Sequence, residues 1–391
     1  MNWTLIGTSV ASERDVTLPS DLPPRVLAFY LPQFHPIPEN DRWWGPGFTE
    51  WTNVTRARPL FRGHYQPRLP ADLGFYDLRL PEVREAQASL AREYGLDAFC
   101  YYHYWFNGRR LLNRPFDEVL ESGRPDFPFC LCWANEHWTR KWDGRDDDTL
   151  MRQEHSLKDD RAHIEHLRRA FADPRYVKIN GRPLFLVYRT ELLPEPLRTA
   201  DVWRQMARGA GFPDLFLVRV ESFRSDVDPI SIGFDAALEF APDKAVLRPT
   251  FKRSRSGAVA IVHAALREAR LIPPRDHEHR IYSFDDLVEG MLAKPSVPYK
   301  RFRCVTPGWD NSARRAEGAT IFVGSTPRRY EGWLRAVVQQ TRVASRGEED
   351  LVFVNAWNEW AEGNYLEPDL RLGRAYLEAT ARALGVVRSG M

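Results

Sequence analysis

Largely apolar runs of a few residues recur along the chain, and a helical pattern follows nearly every one. The runs are Val26–Leu31, Leu96–Tyr102, Phe127–Trp133, Pro183–Arg189, Leu215–Val220, Phe234–Phe240, Arg301–Thr306 and Leu351–Trp357. Continuous rather than alternating apolar character belongs to parallel strands covered on both faces. Helices are expected over Pro81–Tyr94, Pro115–Glu121, Asp159–Ala172, Ala200–Arg208, Arg329–Val343 and Leu370–Leu384. The first of these carries Val83, Ala86, Leu90 and Tyr94 on one face, Pro81 in its first turn and Gly95 as its stop. The connection 221–233 has only weak helical character. Eight βα units predict a closed (β/α)8 TIM barrel of the α/β class. The competing doubly wound sheet lacks its Gly-rich turn, since Pro32-Gln33-Phe34-His35 follows the first strand. A leader is expected over 1–24, then one barrel domain over 25–391. Its long insertions are 32–80 and 241–299, the second with helical runs near Val259–Arg270 and Phe284–Leu292.

The charge is nearly balanced, 55 basic against 53 acidic residues, which gives no electrostatic case for nucleic acid or a membrane surface. No apolar run reaches the ~18 residues of a membrane span, and the N-terminus lacks a signal-peptide pattern. A cytoplasmic location is therefore expected. Cys100, Cys130, Cys132 and Cys304 each lie in an apolar run and are expected to be buried free thiols. Cys130 and Cys132 lack the second pair of a zinc site, so neither metal nor cofactor is expected.

In such a barrel the chemistry sits at the C-terminal ends of the strands. Those ends collect Tyr30, Gln33 and His35; Tyr102 and His103; Trp133, Asn135 and Glu136; Tyr188; Glu221; Glu239; Trp309 and Asp310; and Trp357, Asn358, Glu359 and Glu362. The strand starts carry no comparable set. Aromatic faces beside Asn, Glu and His suit the C–H faces and hydroxyls of sugars, so the expected partner is an oligo- or polysaccharide. Glycosidic cleavage most often needs two carboxylates, one of them protonated. Glu359 and Glu362 are the best pair. Their Cα atoms would lie roughly 10 Å apart in extended chain or about 5–6 Å apart in one helical turn.

Other candidates carry a structural alternative. Glu136 is a sugar ligand or the partner of an arginine. His103 is a site wall or a satisfied core histidine, and Glu239 is a site acid or an acid buried against arginine. Trp51, with Glu50, caps the pocket from the first long loop or lies in an exposed loop. His155, His163 and His166 read as surface, Asp146-Asp147-Asp148 as a solvated loop, and Glu367 as structural. No zinc-protease, serine-hydrolase or P-loop pattern is present.

The segments FYLPQFHPIPENDRWWGPGFTEW, FCYYHYWFNG, FCLCWANEHWTRKWDG and NAWNEWAEGNYLEPD resemble the WbsX-like family. That family is similar to glycoside hydrolase family 99, the endo-α-mannosidase and endo-α-mannanase group. The resemblance runs from about Val26 to the final helix. It implies a (β/α)8 barrel and a retaining route in which the sugar 2-hydroxyl is the internal nucleophile. Two Glu in an E-W-x-E arrangement carry that route, here Glu359-Trp360-Ala361-Glu362. The resemblance makes Glu359 the base toward the 2-hydroxyl and Glu362 the acid/base at the leaving oxygen. It implies manno- or rhamno-configured sugars, with Tyr, His and Trp positions as subsite walls. It also implies a setting in O-antigen or other surface-polysaccharide assembly, where such proteins are often called glycosyltransferases. Hydrolysis or transglycosylation and nucleotide-sugar transfer are thus both open.

Overall fold

The computed structural model describes residues 23–140, 145–222, 227–247, 279–315, 318–345 and 350–386. Eight parallel strands close on themselves: β1 Arg25–Tyr30, β2 Ala98–Phe106, β3 Phe129–Trp133, β4 Arg182–Val187, β5 Phe216–Glu221, β6 Ala236–Glu239, β7 Arg301–Val305 and β8 Leu351–Val354. Closure is explicit in the register, because β1 pairs both with β2 (Leu27↔Ala98) and with β8 (Val26↔Val352). Branched and aromatic side chains of these strands are almost wholly buried, as parallel strands covered by helices require.

Around the barrel run α1 Pro38–Trp44, α2 Glu50–Arg56, α3 Pro81–Glu93, α4 Arg114–Ser122, α5 Leu157–Ala172, α6 Pro196–Gly209, α7 Phe284–Leu292, α8 Pro327–Ala344 and α9 Ala375–Leu384. Local chemistry sets their starts. Proline stands in the first turn of α1, α3, α4, α6 and α8, where its missing N–H costs nothing. Ser156, Ser283 and Thr326 cap α5, α7 and α8 by accepting from the backbone N–H three residues on.

Several boundaries differ from those expected. β2 continues to Phe106 because it folds back on Arg109–Leu111 as an antiparallel hairpin above the barrel. β8 stops at Val354. Past it, Asn355 donates Nδ2–H to the Ala241 carbonyl at 2.7 Å, and the Trp357 N–H reaches Phe29 O at 2.7 Å. The last helix begins at Ala375 rather than Leu370, because Asp369 accepts the N–H groups of Arg371 and Leu372 and holds 369–373 as a turn. Among the described residues of 221–233, the weak helical signal corresponds to the 3-10 turn Pro229–Ile232. The stretch 32–80 holds α1 and α2. Within 241–299 the run at 284–292 is α7, while the run at 259–270 and nearly all of the leader lie outside the described residues. Arg145–Met151 is not loop but a strand, paired antiparallel with Trp138–Arg140. The four cysteines are buried and free, with Cys100 beside Cys130 in register. Among the described residues no helix is long and apolar enough to cross a membrane.

Candidate active site

The turn after β8 is built to present acids. Asn358 mimics a strand residue: its Oδ1 accepts from Leu31 N at 2.8 Å and its Nδ2–H donates to Leu31 O at 3.1 Å, locking the chain to the end of β1. Asn358–Glu359 pairs antiparallel with Asn364–Tyr365, and Trp360–Glu362 between them forms a single 3-10 turn. The chain is therefore turned, not extended, between the two glutamates. Gly363 closes the turn with φ 58°, a left-handed conformation that suits glycine. A Cβ there would meet Asp310 O at 3.1 Å and Arg68 Nε at 3.0 Å. Asp310 N in turn donates to Glu362 O at 2.6 Å. Trp360 points inward. Its indole N–H donates to Glu367 at 2.6 Å, its ring stacks on Tyr365 at 3.8 Å, and Trp51 lies 5.7 Å away.

One guanidinium joins three carboxylates. Arg314 lies 2.8 Å from Glu359 through Nη2, 3.0 Å from Glu362 through Nη1 and 3.1 Å from Glu50 through Nε. Its side chain is 9% exposed, and those of Glu50, Glu359 and Glu362 are 3%, 10% and 20% exposed. Burial pushes Glu359 well above the usual carboxylate range; Arg314 opposes this, while Glu362 and Glu50 add to it. Burial works against the Arg314 cation, but Glu359, Glu50 and Glu362 hold it firmly charged.

These groups stand in a cleft with about 1120 Å³ of empty space. Of the candidate residues, Gln33, Tyr102, Glu136, Tyr188, Trp309, Glu359 and Glu362 line it. Gln33 donates to the Tyr104 hydroxyl at 2.6 Å. Glu136 lines the cleft and pairs with Arg189 at 2.5 Å, the arginine partnership expected as its structural alternative.

The other candidates lie behind the lining. Tyr30 donates to Gln87 at 2.6 Å from the core. His35 is buried with no hydrogen-bond partner at either ring nitrogen, and burial lowers it to about 4. Trp51 is buried, its indole N–H on Tyr76 O. His103 is a core histidine, 2.9 Å from His163 and beside a separate cavity that also meets Arg110 and His166. Trp133 donates to Trp105 O, and Asn135 exchanges hydrogen bonds with the backbone of Arg189. Glu239 is buried against Arg301 and Arg303, at 3.3 and 3.0 Å. Trp357 is fully buried, packed against Phe99. His163 is not a surface residue: it lies among Trp105, Trp133 and Trp203. Glu367 is buried and accepts from Tyr76, Gln87 and Trp360.

Arg314 escaped the sequence reading. It lies past the strand end, in a basic stretch with nothing to mark it as a site residue. Glu50 was legible as a pocket cap or an exposed-loop acid, and it lines the cleft. Trp44, Tyr104, His137 and Trp138, also in the lining, come from the aromatic-rich motifs.

The family model described as "Glycosyltransferase WbsX" matches residues 26–380. The uncharacterized protein WxcX of Xanthomonas campestris pv. campestris, in strains B100 and ATCC 33913, is 48% identical over 371 residues, 95% of this chain. The chain spans 51% of the length of these curated relatives. Among solved structures, the GH99 endo-alpha-mannosidase from Bacteroides thetaiotaomicron superposes with a TM-score of 0.54 at 14% identity, covering 92% of this chain and 96% of that one. A glycoside hydrolase-like protein gives a TM-score of 0.57 at 12% identity, covering 97% and 98%. At such identities the likeness is one of fold.

Proposed function

The chain belongs to the WbsX glycosyltransferase family of glycosyl-processing enzymes, and from that premise we propose that it acts on manno- or rhamno-configured α-glycosides of bacterial surface polysaccharide, as a retaining glycoside hydrolase or transglycosylase. The observation that carries this reading is the pairing of Glu359 and Glu362 on one guanidinium inside an aromatic-walled cleft.

In the proposed reaction Glu359 takes the proton of the sugar 2-hydroxyl. The freed oxygen attacks C1 and expels the glycosidic oxygen, which Glu362 protonates. The intermediate is a 1,2-anhydro sugar. Water or an acceptor hydroxyl then opens it at C1, giving its proton to Glu362, while Glu359 returns its proton to O2. Two inversions at C1 give net retention. An axial 2-hydroxyl stands opposite an axial leaving group, hence the preference for mannose or rhamnose. Burial raises the basicity of ionised Glu359, which suits a group that must deprotonate a hydroxyl. Gln33, Tyr102, Glu136, Tyr188 and Trp309 act as subsite walls in this reading. Asn358 and Trp357 serve by holding the turn, and Tyr30, His35, Trp51, His103, Trp133, Asn135 and Glu239 support the wall from behind. Residues 25–391 act as one catalytic domain.

The family's description as a glycosyltransferase favours a second reading, glycosyl transfer, for which we take a nucleotide sugar as the donor and the cytoplasm as the setting. One experiment separates the two. The protein is incubated with manno- and rhamno-oligosaccharides, and separately with GDP- or dTDP-sugars plus acceptor. Release of reducing sugar that disappears in Glu362→Gln supports cleavage. Acceptor-dependent release of nucleotide without cleavage overturns it. Full activity in Glu359→Gln overturns the two-glutamate mechanism in either assay.

A further inference from the structure

Tyr104 lines the cleft, and the direction of its hydrogen bond can be read from its neighbours. It stands where β2 rises above the barrel, paired with Leu111 of the hairpin. Its ring packs edge-on against Trp138 at 5.1 Å, and the residue is 6% exposed. Strand pairing and ring packing together fix where the hydroxyl lies. Gln33 Nε2 is 2.6 Å from that hydroxyl, and Gln33 Oε1 is 3.5 Å from Nη2 of Arg314. A guanidinium only donates. The amide therefore turns its oxygen to Arg314 and its N–H to the tyrosine. The Tyr104 oxygen accepts, and its own proton is left over. Among the described residues no group accepts that proton. A buried donor without an acceptor is costly, and this one borders a space that a sugar would fill.

The way Arg314 divides its nitrogens locates this donor. Nη1 serves Glu362, while Nη2 serves both Glu359 and Gln33. Gln33 and Tyr104 thus belong to the Glu359 side of the guanidinium, away from Glu362. Burial raises the phenol far above its ordinary range, and Glu359 and Glu50 add to this against Gln33 and Arg314. At neutral pH the hydroxyl keeps its proton and is available as a donor.

In the reaction proposed above, Glu359 meets the 2-hydroxyl and Glu362 meets the oxygen on C1. The ring carbon on the other side of C2 from C1 is C3. We propose that the Tyr104 hydroxyl donates to the oxygen on C3 of the reacting sugar, and that Gln33, by filling the acceptor role of the phenol, holds it in that sense. The inference rests on reading the cleft as the glycosyl-processing site. It makes Tyr104 a determinant of specificity: the site selects a sugar with an oxygen on C3, a demand separate from that for an axial 2-hydroxyl.

The test is a cycle between protein and substrate. Wild-type, Tyr104→Phe and Gln33→Met chains are given a manno- or rhamno-oligosaccharide and its analogue lacking the 3-hydroxyl on the reacting unit. Cleavage is followed as reducing-sugar release and binding by calorimetry. The wild-type chain should prefer the parent compound by about tenfold, the worth of one hydrogen bond. Tyr104→Phe should lose that factor on the parent and nothing on the analogue, so that its preference vanishes. Gln33→Met keeps the tyrosine but no longer directs its proton, and should show a smaller preference than the wild type. A wild-type chain that treats the two compounds alike overturns the contact, without recourse to any variant. So does a preference that Tyr104→Phe retains, or a loss in that variant that falls equally on both compounds. Each of these leaves the proposed function standing. An unchanged preference in Gln33→Met overturns the role given to Gln33. Failure of the wild-type chain either to cleave or to bind the parent compound overturns the proposed function and the contact together.

Discussion

Arg314 sets the electrostatics of the site almost alone. Three buried carboxylates around one cation are tolerable only while the cation is present. Removing one member of a buried charge network costs about 3–5 kcal/mol, because the remaining charges are left uncompensated. Arg314→Gln is therefore expected to destabilise the fold by that order at pH 8 and by less at pH 5, where Glu359, already raised by burial, takes up its proton more readily; urea denaturation at the two pH values measures it. The acidic limb of its pH–rate profile should move to higher pH, since Glu359 loses the charge that favours its ionised form. Glu367 gives a second prediction. Burial raises it from 4.5 to about 7 despite the hydrogen bonds from Trp360, Gln87 and Tyr76. An acid with a raised folded-state pKa binds its proton more tightly when folded. Stability is then full below the unfolded value and is lost as pH rises through the folded one. A rise of about 2.5 at about 1.36 kcal/mol each bounds this loss at roughly 3 kcal/mol between pH 4.5 and 8. Glu367→Gln should flatten that part of the stability–pH curve; an unchanged slope would exclude the assignment. At this scale the sequence was only partly legible. Glu359, Glu362 and Tyr188 stood in strand-end motifs. Arg314 did not, because its role depends on a turn past β7 coming back across the site.

The 3-10 turn Trp360–Glu362 shows how an element converts sequence into the geometry of the candidate site. Asn358 ties its entry to β1, Gly363 closes its exit, and the Trp360 indole pins its centre to Glu367. Gly363→Ala should be costly on two counts: a left-handed φ and a Cβ about 3 Å from the Asp310 backbone. The expected loss is about 1–3 kcal/mol of stability. Because the strain falls on the residue after Glu362, kcat should fall at least about tenfold with KM little changed. A wild-type kcat in a folded Gly363→Ala protein would show that the turn tolerates displacement. The start of α3 was legible because a first-turn proline is a local signal, whereas α5, α6 and α8 begin at Leu157, Pro196 and Pro327, ahead of the expected Asp159, Ala200 and Arg329. The end of β8 was not legible, because its partners, the Phe29 and Ala241 carbonyls, are distant in sequence, while the end of β2 and the start of α9 turn on side-chain and hairpin contacts that periodicity does not report, those of residues 109–111 and Asp369.

For the whole molecule, the eight apolar runs were enough to predict the barrel, since few architectures bury that many parallel strands on both faces. Their order left hidden how the loops converge. Glu50 comes from the stretch after β1, Arg314 from beyond β7, and Glu359 and Glu362 from beyond β8. The site therefore straddles the seam at which the last strand meets the first, and the Glu50–Arg314 contact spans 264 positions of sequence. This geometry has a consequence in time. During synthesis the first seven strands are made before the acidic turn, and a chain that stops short of β8 lacks both the closing strand and the Glu359–Glu362 pair. Ring closure and the carboxylate pair therefore arrive together, with β8 and the turn that follows it.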